Sequence, residues 1–194
     1  MAAGNAKESQ GKLANKHGEK AQAAAAALLL DHGFEDIGPL KHEPSRVNIL
    51  EAFENRRLET LGQPALVFAS AVPICHNIFG DLFTAHFLLR ADTWPEAMVL
   101  MCRTQESGGT ALERFEHLYA NLHERLPCRA LVMLSLTPSE TLRPDMIRAV
   151  YRRADEWIER SHGRIARVFR GLDSFRRWLS DYAPYPSQSP SLPM

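Results

Sequence analysis

The fold of this chain is decided by IFGDLFTAHFLLRADTWPEAMVLMCRTQESGGT, residues Ile78 to Thr110. Two apolar runs, Phe83–Leu89 and Ala97–Gln105, have the residue types of β-strands, and the five residues DTWPE between them have the composition of a turn. Gly108 and Gly109 end the second run. Thr110, with Glu113 three residues later, predicts a capping box that opens a helix. The stretch therefore predicts a β-hairpin followed by a helix.

The sequence on either side of this hairpin predicts alternating helices and strands. The apolar run ALVMLSL within Arg129–Leu136 is typical of a strand covered on both faces. The order ααβββαβαβα, a run of three strands followed by strands that alternate with helices, predicts an α/β protein. The remaining predicted elements are the helices Lys12–His32, Pro44–Leu61, Ala111–Leu126, Pro144–Ser161 and Asp173–Tyr182, and the strands Ala65–Val72 and Ile165–Phe169.

Length and composition favour one domain. The chain has 194 residues and 45% apolar content, enough for a sizeable core. We expect a single domain over residues 11–183, preceded by a flexible arm at residues 1–10. Residues 184–194 are rich in Pro and Ser, and this composition predicts a disordered tail.

The charge is balanced over the whole chain and uneven along it. Lys plus Arg total 23 and Asp plus Glu total 23, so net charge gives no reason to expect nucleic-acid or membrane binding. The segment from Arg143 to Arg177, however, contains ten arginines and five acids. This excess either extends a phosphate-binding surface or forms a solvated helix face.

The cysteines and the apolar runs indicate a soluble cytoplasmic protein with no membrane partner. Cys75, Cys102 and Cys128 lie far apart and form no CxxC pair, so we expect small buried thiols in a reducing compartment. Their spacing does not support a zinc site. No apolar run approaches the roughly 18 residues of a membrane span.

Period-two alternation predicts which side chains of the hairpin share a face of the sheet. On the first strand, Thr84, His86 and Leu88 are expected on one face. Their neighbours Ala85, Phe87 and Leu89 are expected on the other. On the second strand, one face is predicted to carry Val99, Met101, Arg103 and Gln105.

The segment CRTQESGGTALERF resembles the stretch C-K-x-Q-x-x-x-G-T/S-x-x-E-K of the PD-(D/E)XK nuclease superfamily. Arg103 stands at its first Lys, and Gln105, Gly109, Thr110 and Glu113 match unchanged. Upstream, AVPICHNIFGDLFTAHF resembles the approach to the family's first-strand acid, with His86 where Asp is usual. Met101 stands at the acid of the second strand.

The resemblance covers most of residues 11–180. The segment LANKHGEKAQ resembles the family helix that often donates another acid, at Glu19 or Gln22. The resemblance implies a restriction-endonuclease-like fold of three layers, α/β/α, with a mixed central sheet in which the first three strands are antiparallel and the fourth is reached across a helix. The alternation on the two strands also predicts that His86, Met101, Arg103 and Gln105 share one face of the hairpin, near the first helix.

The departures from the family pattern change the expected chemistry. In the family, the two acids hold Mg²⁺ and the Lys faces phosphate. A methionine thioether does not suit a hard cation, whereas an arginine keeps the charge and can grip phosphate with two hydrogen bonds. We therefore expect a catalytically inactive module that uses no cofactor. Its partner would be DNA or RNA, or else a protein, such as an active nuclease subunit. The phosphate contacts would be Arg103, Gln105 and Thr110.

Two alternatives stay open, an active Mg²⁺-dependent nuclease and an α/β scaffold with no nucleic-acid role. The active nuclease would draw its acids from Glu19, Asp81 or Asp92. The scaffold is consistent with the neutral charge. Each candidate residue also has a plainer structural interpretation. His86 would be a hydrogen-bonded half-buried histidine, and Met101 would be a core residue. Arg103 would form an ion pair with Glu19 or Glu106. Gln105 and Thr110 would stabilise the strand-to-helix turn.

Overall fold

The computed structural model describes residues 3–40, 48–60, 62, 65–105 and 111–182. Within them, five helices surround one six-stranded sheet in the order β1-β2-β3-β4-β5-β6. The helices are α1 (Ala3–Asp31), α2 (Ile49–Glu59), α3 (Ala111–Glu124), α4 (Pro144–Arg160) and α5 (Leu172–Tyr182). The strands are β1 (Glu35–Asp36), β2 (Leu66–His76), β3 (Leu82–Ala91), β4 (Met98–Gln105), β5 (Arg129–Leu136) and β6 (Ile165–Arg170).

The sheet is mixed, as the sequence predicts. β2, β3 and β4 pair antiparallel, and β4, β5 and β6 pair parallel across the connecting helices α3 and α4. β1 adds a two-residue parallel pairing at the edge of β2. This strand was not predicted, because two residues are too few to show a period. The predicted α/β fold with a mixed sheet between helical layers is confirmed.

The helices cover the sheet on both faces, and β4 divides its side chains between the two. Val99 and Met101 lie in a core cluster with residues of α2, α3 and α4, including Phe53, Leu122 and Trp157. We call this the first core cluster. The second core cluster contains Leu100 and Cys102 of β4 together with residues of α1 and α5, among them Leu29 and Phe175.

Helix boundaries differ from the predicted ones at the first two helices. α1 begins at Ala3, so residues 3–10, expected to form an arm, are helical. The described part of α2 begins at Ile49, where the Asn48 side chain accepts from the N–H groups of Leu50 and Glu51. The expected start of this helix at Pro44 and the expected tail at 184–194 lie outside the described residues.

No helix in the described ranges combines the length and the apolar composition needed to cross a membrane.

The side chains of β2 and β3 do not alternate strictly between the two faces of the sheet. Ala85 and Leu88 are three residues apart, yet both lie in the first core cluster, and so do Ala69 and Val72 of β2. Between the latter pair, Ala71 has a φ of 50°, in the left-handed region that non-glycine residues seldom adopt. The prediction that Ala85 and Leu88 lie on opposite faces is therefore wrong, because the left-handed backbone of Ala71, beside His86, interrupts the alternation.

Candidate functional site

β3 and β4 separate part of the way along the hairpin. Their ladder contains the pairs Phe87 with Leu100, Leu88 with Val99, and Leu89 with Met98. Beyond Phe87, β3 remains paired with β2, whereas β4 remains paired with β5. The strands therefore diverge and leave a gap between residues 82–85 of β3 and residues 103–105 of β4. We call this gap the strand fork.

His86 lies where the fork begins. Its Nδ1 accepts a hydrogen bond of 2.8 Å from the backbone N–H of Cys102. Continuing the β3–β4 register would place Cys102 opposite Ala85, so the imidazole replaces the backbone carbonyl that would otherwise accept from this N–H. The interpretation of His86 as a hydrogen-bonded, half-buried histidine is confirmed.

The surroundings of His86 favour its neutral form. Burial, assisted by the nearby Arg103 cation, lowers the pKa of His86 from 6.5 to about 4. The ring is therefore uncharged at neutral pH. Because Nδ1 is an acceptor, Nε2 must carry the single ring proton, and this nitrogen is a hydrogen-bond donor.

Arg103 follows on β4 as the second polar side chain of the fork. It is exposed to solvent, and protein atoms around the guanidinium lower its pKa through desolvation. In the described part of the chain, no carboxylate forms an ion pair with it. The expected pairing with Glu19 is absent from these residues, and Glu106 lies outside them.

Met101 precedes Arg103 by two residues and is only 1% exposed. It packs in the first core cluster with residues of α2, α3 and α4. The interpretation of Met101 as a core residue is confirmed. An anionic ligand at this position would be surrounded by apolar side chains.

The other predicted phosphate contacts lie at the end of β4. The Gln105 side chain is half-buried, and its backbone carbonyl accepts a 3.1 Å hydrogen bond from the N–H of Thr137. This bond joins the end of β4 to the loop that follows β5. Thr110, the glycines before it and the predicted capping box lie outside the described residues.

A family model described as a PD-(D/E)XK nuclease superfamily domain matches residues 13–180. The chain belongs to this superfamily. The mixed sheet and flanking helices agree with its restriction-endonuclease-like fold. Searches of curated proteins and of solved structures gave no match.

The position at which the PD-(D/E)XK family often carries a helix acid is Glu19 or Gln22 by the resemblance, and both residues lie on α1. α1 packs on the second core cluster through Ala25, Leu28 and Leu29, whereas Met101 lies in the first. Glu19 itself is exposed. The expectation that Met101 lies near the first helix is wrong, because β4 presents Leu100 and Cys102 to that helix.

The two hairpin acids lie at opposite ends of β3. Asp81 is exposed in the turn before the strand, where its N–H donates to the Asn77 side chain over 2.9 Å. Asp92 follows the strand and accepts from Arg57 over 2.8 Å. Six residues separate Asp92 from His86, about 20 Å along a strand. The Arg57 contact and this distance make Asp92 unsuited to hold a metal at the fork.

The described residues contain no group of three or more His, Cys, Asp or Glu side chains arranged to hold a metal ion. At the fork itself, Nδ1 of His86 is already engaged, and Arg103 is a cation. Mg²⁺ prefers anionic oxygen ligands with octahedral geometry. The residues of the fork therefore do not fit the Mg²⁺ that the PD-(D/E)XK family uses.

The arginine-rich segment from Arg143 to Arg177 is partly neutralised by its own acids and by α3. Four of its ten arginines make ion pairs: Arg143 with Asp145, Arg153 with Glu116 and Glu156, Arg170 with Asp155, and Arg176 with Asp173. Arg160 lies over the ring of Trp157. The charge count from the sequence therefore overstates the positive surface available to a partner.

Proposed function

We propose that this PD-(D/E)XK protein is a pseudo-nuclease that binds the phosphate backbone of DNA or RNA at the strand fork. The proposal rests on the polar groups at the fork, which are hydrogen-bond donors. His86 bears a proton on Nε2, and Arg103 brings a guanidinium with no carboxylate partner in the described ranges. Both groups are donors, which suit an anion.

The same arrangement argues against hydrolysis. A metal-dependent phosphodiesterase needs carboxylates that hold the cation against the scissile phosphate. The position of one family acid carries a neutral histidine and the other a buried methionine. Without this cation, the charge that develops in the transition state lacks its main stabilisation.

Arginine at the Lys position supports phosphate binding. A guanidinium can donate two parallel hydrogen bonds to phosphate oxygens, and partial desolvation strengthens such bonds. A backbone contact of this kind does not read base sequence. We therefore expect binding to DNA or RNA strands with weak sequence preference.

The first experiment tests catalysis and binding together. Single- and double-stranded DNA and RNA would be incubated with the pure full-length protein and Mg²⁺ or Mn²⁺, and affinity would be measured between low and physiological salt. We expect no cleavage, and an affinity that falls as salt rises because bound phosphates release counterions. Metal-dependent cleavage would instead favour the active nuclease with acids from Glu19 or Asp81.

The second experiment assigns binding to the fork. Arg103→Ala removes one phosphate contact, so it should weaken binding and flatten the salt slope by about one. Arg129→Ala removes the same charge from an exposed position at the start of β5, outside the Arg143–Arg177 segment, and serves as the control. Equal behaviour of the two variants, with both folded, would exclude the fork as the binding site.

A further inference from the structure

The carboxyl ends of the parallel strands β4, β5 and β6 meet at one edge of the sheet. A depression of about 240 Å³ opens at this edge, between the ends of β5 and β6 and the helix α4. Its polar lining comes from Ser135, Thr137, Tyr151 and Arg170, and Gly171 completes its wall. We call it the β5–β6 depression.

Arg170 is the cationic group of this depression, and Tyr151 holds it in place. The guanidinium carbon lies 4.9 Å from the centre of the Tyr151 ring. The ring is itself fixed, because the Tyr151 hydroxyl donates to the carbonyl of Leu134 over 3.2 Å. A guanidinium over an aromatic ring keeps its N–H groups available for a ligand.

The ion pair of Arg170 is too loose to occupy these donors. Asp155 lies 3.7 Å away, and the side chains are 65% and 63% exposed. Asp173, two residues beyond Gly171, pairs with Arg176 of its own helix at 3.4 Å. An anion with more charge and better geometry than Asp155 could therefore take over the guanidinium.

The depression also adjoins the strand fork. Thr137 in its wall donates its N–H to Gln105, which ends the fork side of β4. β4 and β6 are separated by β5 alone, so roughly 10 Å lies between them, two strand spacings. A nucleic-acid strand repeats its phosphate about every 3.4 Å of helix axis. One nucleic-acid strand can therefore contact both the strand fork and the β5–β6 depression.

We propose that the β5–β6 depression is a second phosphate-binding site that takes a backbone phosphate of the strand bound at the fork. Arg170 supplies the charged donors, and the hydroxyl groups of Ser135 and Thr137 supply neutral ones. The ligand class rests on the proposed function, whereas the phosphate chemistry rests on the depression alone. The two can be tested separately.

Inorganic phosphate tests the depression without nucleic acid. The arginine Nε–H signals of the full chain would be followed by ¹⁵N nuclear magnetic resonance during the titration, with Arg170 assigned from the signal missing in Arg170→Gln. We expect the Arg170 signal to shift and saturate, and the Arg129 signal to stay in place. An Arg170 signal that does not move would overturn the site.

Oligonucleotide binding tests the ligand class. Salt slopes would be compared for the wild type, Arg170→Ala, Arg103→Ala and the double variant. The matched control is Arg129→Ala, which also removes an exposed arginine paired with a surface carboxylate, at the far end of β5. We expect the slope to fall by about one in each single variant and about two in the double variant, with the control unchanged.

The outcomes separate the two proposals. If Arg103→Ala flattens the salt slope and Arg170→Ala leaves it unchanged, as the control Arg129→Ala should, the second site is overturned. The fork then stands as the binding site. If the wild type binds no oligonucleotide at low salt, the proposed function fails. If the Arg170 signal nevertheless shifts with phosphate, the phosphate site stands, and only its assignment to nucleic acid is overturned.

Discussion

His86 shows how one side chain can replace a piece of backbone. Where the β3–β4 ladder ends, its ring accepts the N–H of Cys102 that a continued ladder would have satisfied. An unsatisfied buried N–H would destabilise the sheet. The histidine thus stabilises the opening of the fork and also fixes its own tautomer, so one hydrogen bond links the fold to the candidate site.

The first prediction concerns the pH dependence of stability. The unfolded chain protonates His86 near pH 6.5, and the folded protein does so near pH 4. The folded state therefore binds fewer protons between these values, and the free energy of unfolding should fall as pH is lowered from 6.5 to 4. We expect His86 to account for about 2–3 kcal/mol of this fall.

Urea unfolding at several pH values checks this prediction with His86→Gln as the comparison. Glutamine keeps an oxygen acceptor for the Cys102 N–H and does not titrate. The wild type should lose more stability than the variant on acidification. Parallel stability curves for the two proteins would show that His86 does not titrate at a depressed pKa.

The second prediction concerns the family acid position at Met101. Met101→Glu would put a carboxyl group at a site that is 1% exposed and lined by apolar residues. We expect a loss of at least about 3 kcal/mol in the free energy of unfolding, because a buried polar group without partners is costly. Met101→Leu, which keeps volume and apolarity, should cost less than about 1.5 kcal/mol.

Chemical denaturation of both variants measures the difference. A Met101→Glu protein as stable as Met101→Leu would mean that the glutamate reaches solvent or a cation. That result would reopen the fork as a metal site.

At the scale of elements, the alternation of β2 and β3 is interrupted beside the point where the fork begins. Ser70 still pairs with Phe87 and Val72 with Ala85, so the register is unchanged across Ala71. The faces nevertheless change, because Ala71 adopts a φ of 50°. Beyond this point β3 remains paired with β2, while β4 remains paired with β5.

The third prediction concerns the strain at Ala71. An alanine in the left-handed region carries a steric cost that glycine does not. We expect Ala71→Gly to raise the free energy of unfolding, by about 0.5–1 kcal/mol, measured by urea denaturation. Ala23→Gly on the exposed side of α1 is the control and should lower it by about 1 kcal/mol. Destabilisation of similar size in both variants would show that Ala71 is not strained.

At the scale of the whole molecule, the sheet separates groups that a working PD-(D/E)XK site would bring together. Glu19 lies on the helix that covers the second core cluster, and Met101 lies in the first. Asp92 lies at the far end of the hairpin, with Arg57 bound to it. Glu19 and Asp92 are therefore poorly placed to hold one metal ion together at the fork.

The fourth prediction follows from this separation. Titration calorimetry with Mg²⁺ should show no tight binding to the wild type, and Glu19→Ala should leave both the calorimetric trace and oligonucleotide affinity unchanged. The reason is that Glu19 is exposed and lies across the sheet from Met101. Strong Mg²⁺ binding that disappears in Glu19→Ala would support the active nuclease with a displaced acid.

The sequence by itself determined the five helices and five of the six strands of the described residues, in their order along the chain. The predicted bounds of β5 agree with the observed Arg129–Leu136, and those of β4 differ by one residue, because long apolar runs and strong turn residues are local signals. The resemblance around Gln105 to Glu113 also identified the superfamily, which the match to residues 13–180 shows. The core role of Met101 followed from its apolar chemistry.

Tertiary structure alone decided which groups meet. The left-handed conformation of Ala71 breaks the period of two, and no sequence pattern marked it, since alanine seldom adopts a positive φ. The bond from Cys102 to His86 and the stacking of Arg170 on Tyr151 join residues 16 and 19 positions apart, through the pairing of strands and the packing of α4. Such contacts depend on how the elements pack, and a linear pattern records only the propensities of each element separately.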